Sequence, residues 1–164
     1  MKNPSFHFRG ITMTVRVATA ETLGAYALIE VIHPPSMGPA LHIHPRGPEA
    51  FIVMEGEYTF TRGDETVHAR PGDSVIVPQG VPHRYRVSSS GGRALVICPP
   101  GLESYFLTMS DLLRSGGVSF ERESEIASQF GQNVLDGHGH WNIQQAQGHV
   151  HLTGTASDTD HVAD

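Results

Sequence analysis

The stretch from Gly38 to Gly56 reads "GPALHIHPRGPEAFIVMEG" and places two histidines and one glutamate within eight residues. Side chains alternate across an extended strand, so His42 and His44 point to one face and the residues beside them point to the other. Two imidazoles at this spacing form a chelating pair. After the turn "PRGP", Glu49 begins the next strand and returns a carboxylate to the same face.

A third histidine lies farther along the chain, where "PGDSVIVPQGVPHRYRV" places His83 at the start of another strand. Three imidazoles and a carboxylate suit one divalent transition metal, Fe, Mn, Ni, Co or Zn, and disfavour metals that prefer thiolates. The predicted metal ligands are therefore His42, His44, Glu49 and His83. The alternative is that these are ordinary barrel residues around an empty site.

Short β-branched or aromatic runs fill the chain before Gly101, and turn signals such as Pro71-Gly72-Asp73 and Pro78-Gln79-Gly80 separate them. This pattern predicts an all-β antiparallel barrel or sandwich. "MEGEYTF" predicts a tight hairpin around Glu55-Gly56-Glu57, in which Gly56 supplies a positive φ at low cost.

Beyond Gly101 the pattern indicates two helices. "SYFLTMSDLLRSGG" has apolar residues at helical spacing, and "SFERESEIASQFG" begins at a Ser119 cap and ends at Gly131. We predict one domain over residues 1–143, with a barrel at about 11–100 and short helices at about 102–130. Residues 144–164 contain too little apolar surface to offset the entropy lost when a chain segment becomes ordered, so we predict a disordered tail there.

Charge and composition narrow the classes of partner. All eleven Lys and Arg precede Glu123, and six acidic residues follow from that position onward, which argues against nucleic acid and membrane as partners. No apolar run approaches the roughly 20 residues of a membrane span, and the N-terminus lacks a secretory pattern, so we expect a cytoplasmic protein. Cys98, the single cysteine, excludes an internal disulfide and is expected in the core. A small-molecule partner is expected.

At its histidines the sequence resembles the cupin superfamily. The first cupin motif is matched by His42, His44, Glu49 and Gly56, although Gly38 lies two residues closer to His42 than usual. The second motif is matched by the residues Gly72, Pro78, Gly80 and His83. Val87 stands where the family has an asparagine that does not bind metal. The resemblance implies a double-stranded β-helix, or jelly-roll, barrel, and homodimers formed through edge strands, which need covering.

Within this superfamily, "ATAETLGAYALIEVIHPPSMGPALHIH" and "PPGLESYFL" resemble small single-domain cupins of the quercetin 2,3-dioxygenase type. That resemblance implies a metal-dependent dioxygenase acting on a flavonol-like, enol or phenolic molecule. Glu49 would be both metal ligand and catalytic base, taking the proton of a substrate hydroxyl before reaction with dioxygen. Phe51 and Tyr85 each lie two residues after a proposed ligand and are expected to line the substrate pocket.

Two other functions remain open. The same Lewis acid could promote a cyclisation or isomerisation without oxygen, as in cupin polyketide cyclases, or the barrel could bind a small molecule without catalysis. Oxygen uptake separates the first alternative from a dioxygenase, and turnover separates both from the second. Histidines 138, 140, 149, 151 and 161 belong to polar segments without a carboxylate partner and are not predicted to bind metal.

Overall fold

A computed structural model describes residues 5–135, which form eleven β-strands and two α-helices. Both helices lie between the last two strands in sequence. The strands are β1 Ser5–Phe8, β2 Ile11–Val17, β3 Ala27–His33, β4 His42–Ile43, β5 Glu49–Glu55, β6 Tyr58–Arg62, β7 Glu65–Ala69, β8 Ser74–Val77, β9 His83–Val87, β10 Gly92–Cys98 and β11 Asn133–Val134. The helices are α1 Leu102–Arg114 and α2 Phe120–Gln129, and a short 3-10 helix covers Thr19–Thr22.

Two antiparallel sheets form the barrel. The six-stranded sheet has the order β1-β2-β3-β10-β5-β8, and the five-stranded sheet has the order β11-β4-β9-β6-β7. Buried and exposed apolar side chains alternate along β5, where Phe51 and Val53 are buried and Ile52 and Met54 are exposed. The inner faces of the two sheets meet in one core, so the predicted all-β jelly-roll barrel is confirmed.

The predicted hairpin at Glu55-Gly56-Glu57 is wrong. Strand β5 pairs with β10 and β8, whereas β6 pairs with β7 and β9, so the turn carries the chain from one sheet to the other. Gly56 does adopt a positive φ of 77°, and a Cβ there would lie 2.1 Å from the Gly91 carbonyl oxygen. The tight turn was therefore correctly located, but its strands find partners that are distant in sequence.

The sheets extend beyond the predicted barrel at about 11–100. Strand β1 pairs antiparallel with β2, and the two-residue β11 pairs with β4. Both strands are short, which leaves little alternation to detect in the sequence. The β11 pairing matters for the site, because β4 contains His42.

The two helices lie where the sequence predicted them. The Ser119 side chain accepts a hydrogen bond from the Arg122 backbone amide and caps α2. Helix α1 packs on β1 through Phe8, whose ring centroid lies 5.4 Å from that of Phe106. This contact anchors the helix beside the barrel interior.

No helix within residues 5–135 is long and apolar enough to cross a membrane. The predicted tail at 144–164 and histidines 138, 140, 149, 151 and 161 lie outside the described residues. Cys98 is buried, as expected of a core residue.

Candidate metal centre

The four predicted ligands meet at one end of the barrel. His42 lies on β4 and is the direct cross-strand partner of His83, the first residue of β9, while His44 follows β4. Glu49 begins β5 in the opposite sheet. One carboxylate from the six-stranded sheet therefore faces imidazoles placed by the five-stranded sheet and its loop.

The four side chains are close enough to share one ion. One ligand atom from each lies within 4.8 Å of the others, and all four residues are buried. The Glu49 Oε2 atom is 3.1 Å from His83 Nε2 and 3.6 Å from His44 Nε2. The His42 and His83 ring centroids are 4.2 Å apart. Buried imidazoles and a carboxylate at these separations could hold a transition-metal ion.

Backbone carbonyls orient all three imidazoles. The Nδ1 atoms of His42, His44 and His83 lie 2.8, 3.2 and 2.9 Å from three backbone oxygens, which belong to Ala40, Gly131 and Val81. A carbonyl oxygen accepts only, so each Nδ1 must carry the proton and donate it. In the neutral imidazoles Nε2 then carries the lone pair that can bind a cation, the usual arrangement around metal-binding histidines.

The His44 Nε2 atom supplies the clearest test of fit. It is buried and forms no hydrogen bond within residues 5–135. A buried polar atom without a partner is costly, and a metal ion among these four side chains would satisfy it. The donor set and this atom together fit a divalent transition metal.

The charges of the cluster also favour a cation. Burial alone would raise the pKa of Glu49, but the neighbouring imidazoles of His44 and His83 hold it well below its usual range. Burial, with His83 and His44 nearby, lowers the pKa of His42 well below the ordinary value. Burial opposes protonation of His44 too, but the Glu49 carboxylate outweighs it and raises the pKa of His44. A metal cation would compete with that proton for His44.

A small cavity lies beside the cluster. His42, Glu49, Phe51 and Tyr85 contribute to its wall, so the structure places the two predicted pocket residues next to two predicted ligands. The other lining residues are Met13, Ile29, Val31, Pro39, Val96, Cys98, Phe106 and Gln132. Its volume is about 30 Å³, which is room for one or two water molecules.

Behind the cavity, three buried side chains form a hydrogen-bonded network that the sequence patterns did not predict. His33 Nε2 is 2.7 Å from the Tyr85 hydroxyl, and His33 Nδ1 is 3.0 Å from the Tyr58 hydroxyl. Burial lowers the pKa of His33 to about 3, so the imidazole is neutral near pH 7. It holds the Tyr85 ring in place. Alternation along β3, with Ala27, Ile29 and Val31 pointing inward, would have predicted an inward His33.

Comparison with known proteins agrees with this fold. The family model described as the cupin domain matches residues 28–100, which contain all four candidate ligands. Residues 28–100 form a cupin domain. Val87, at the cupin asparagine position, is a buried core residue whose backbone amide donates to the Met37 carbonyl at 2.9 Å.

In sequence the chain is similar to quercetin 2,3-dioxygenase of Bacillus subtilis (strain 168), at 32% identity over 71 residues. The matched segment is 43% of this chain but only 21% of that enzyme. Among solved structures, KdgF from Halomonas sp. superposes with a TM-score of 0.52 at 16% identity, covering 58% of this chain and 86% of that one. The polyketide cyclase RemF from Streptomyces resistomycificus has a TM-score of 0.51 at 22% identity, covering 59% and 73%. These two likenesses show the fold.

Proposed function

We propose that this cupin is a metal-dependent enzyme, a dioxygenase acting on an enol, phenolic or flavonol-like small molecule. The observation that carries the proposal is the arrangement of the imidazoles. Three Nδ1 atoms face backbone carbonyls, and the Nε2 atoms of His44 and His83 face the buried Glu49 carboxylate. Glu49 also lines the small cavity beside the cluster. The oxidative reaction is favoured by the sequence likeness to quercetin 2,3-dioxygenase.

His42, His44, Glu49 and His83 would hold the ion. A bound Fe, Ni, Mn, Co or Zn ion would supply Lewis acidity toward an enol, phenol or carbonyl oxygen. The chain's own contribution is at Glu49, whose buried carboxylate lies 3.1 Å from His83 Nε2 in the cavity wall and would accept the proton of a substrate hydroxyl. Phe51 and Tyr85 provide aromatic walls for the apolar part of the substrate.

The cavity volume bears on the size of the substrate. At about 30 Å³ it is far below the roughly 300 Å³ at the lower end of drug-sized ligand pockets. Entry of even one aromatic ring requires the wall to move, and a three-ring flavonol requires far more movement. Within the proposed class, the geometry therefore favours simple enols and single-ring phenols.

Metal analysis followed by oxygen-electrode assays tests this function. We expect the purified protein to contain one transition-metal ion per chain, and the loaded protein to consume oxygen with an enol or phenol. His42→Ala should lose most of the metal and the oxygen uptake together. His68→Ala, which changes an exposed histidine of β7, should keep both.

Three other outcomes would contradict the proposal. Substrate loss without oxygen uptake would indicate a non-oxidative cyclase or isomerase, and binding without turnover would indicate a small-molecule-binding cupin. Full metal content in His42→Ala would remove His42 from the ligand set.

The homodimer remains a prediction, and we propose that the outer face of the six-stranded sheet takes part in it. Ile32, Ile52, Met54 and Ile76 are exposed there, and Ile76 lies on the edge strand β8. Light scattering at micromolar concentration should give twice the mass of one chain. Ile76→Glu should shift the protein toward monomer, and the matched change Leu107→Glu, on exposed α1 surface, should not. A monomeric wild-type protein would contradict the prediction.

A further inference from the structure

Gln132 is a buried polar residue of the cavity wall, and the ligand set does not use it. It lies just after α2, and only 3% of its surface is exposed. Its side chain lines the cavity, where the amide forms no hydrogen bond within residues 5–135 and is not completely shielded from solvent, while its backbone amide donates to the Ala127 carbonyl at 2.9 Å. The other polar wall groups are engaged, since Tyr85 bonds His33 and the Cys98 thiol lies 3.7 Å from the Val96 carbonyl.

The backbone on both sides of Gln132 is held against the metal centre. The preceding Gly131 carbonyl accepts from His44 Nδ1, and the following Asn133 pairs with Ile43 of β4. The Arg46 guanidinium also donates to the Gln129 carbonyl at 2.6 Å. The position of this side chain in the cavity wall is therefore tied to the ligands themselves, which is the kind of support that a specificity residue requires.

We propose that the Gln132 amide hydrogen-bonds a second oxygen of the substrate while the first oxygen lies beside Glu49. This inference rests on the proposed function. An amide offers both donors and an acceptor, so a ligand whose second oxygen pairs with it gains a hydrogen bond that a ligand with one oxygen does not. The remaining wall is apolar, with Met13, Ile29, Val31, Phe51, Val96 and Phe106. The ligand class is a small conjugated molecule with two oxygen functions.

Titration calorimetry of metal-loaded protein with phenol and the isomeric dihydroxybenzenes tests this role. These probes share one ring, so the cost of widening the cavity cancels in the ratio of their dissociation constants. We expect the best dihydroxybenzene to bind the wild type about five-fold or more tightly than phenol, the scale of one neutral hydrogen bond. Gln132→Met keeps the length of the side chain and should reduce the preference to about two-fold or less without weakening phenol.

Controls separate this role from folding and metal binding. Gln129→Met makes the same change on the exposed surface of α2 and should keep the wild-type preference. Gln132→Asn, which withdraws the amide by one methylene, should lose it as Gln132→Met does and provides a second variant if one folds poorly. Both Gln132 variants should retain wild-type metal content.

Two results would overturn the inference. In the first, wild-type protein binds phenol when metal is loaded and not when it is removed, but the Gln132 variants keep the preference for dihydroxybenzene or bind all probes equally more weakly. The Gln132 assignment is then wrong and the proposed function stands. If neither loaded nor metal-free wild type binds any probe, the proposed substrate class is wrong, and the role of Gln132 is wrong with it.

Discussion

Replacing Glu49 with glutamine is expected to lower turnover by about 100-fold or more, even after the metal content has been restored, because positioned proton acceptors contribute on this scale. Glutamine keeps the shape of the side chain but loses the charge that attracts a cation and accepts a proton. The imidazoles of His44 and His83 hold the pKa of Glu49 below its usual range despite its burial, so its side chain carries a negative charge. The glutamine variant therefore loses the proton acceptor as well as one metal ligand.

The measurement is the turnover number per bound metal ion, with metal determined on the same sample. Glu57→Gln makes the same change at an exposed position and should leave the rate unchanged. His42→Ala should instead lose activity in proportion to metal. If metal-saturated Glu49→Gln turns over substrate at nearly the wild-type rate, Glu49 is not the base, although it could still be a ligand.

A second large effect is expected at Gly38, where one added methyl group has no space. A Cβ at this position would lie 1.8 Å from the Tyr85 carbonyl oxygen, which belongs to the backbone of β9. The strand would have to shift, and it also carries His83. We expect Gly38→Ala to lower the free energy of unfolding by about 3 kcal/mol or more, which corresponds to a melting temperature about 10 °C lower. Metal binding should also be weaker, because His83 shifts with the strand.

Gly47→Ala is the matched control for this steric effect. Neither glycine has a positive φ, and a Cβ at Gly47 would be 3.7 Å from the nearest atom, Pro99 Cβ, which is ordinary contact. Thermal unfolding should place Gly47→Ala within about 1 kcal/mol of the wild type. A Gly38→Ala protein with wild-type melting temperature and metal content would show that Gly38 and β9 do not approach this closely.

Local patterns in the sequence determined much of the barrel and part of the site. Alternation put His42 and His44 on one face, because the two-residue period of a strand needs no information about its partners. The Ser119 cap and the spacing of apolar residues located α2 and α1 in the same way, since helix signals are contained within a few turns. The turn at Gly56 was found from its glycine, whose positive φ is a local requirement.

Tertiary structure alone decided which strands pair and what surrounds the ligands. Strands β5 and β6 are adjacent in sequence but enter different sheets, and that separation makes Glu49 face imidazoles held by the opposite sheet. Gln132 reaches the cavity only because β11 pairs with β4 and the Gly131 carbonyl accepts from His44. Such contacts join residues almost 90 positions apart, and because they arise from the packing of whole elements they leave no periodic signal in the chain.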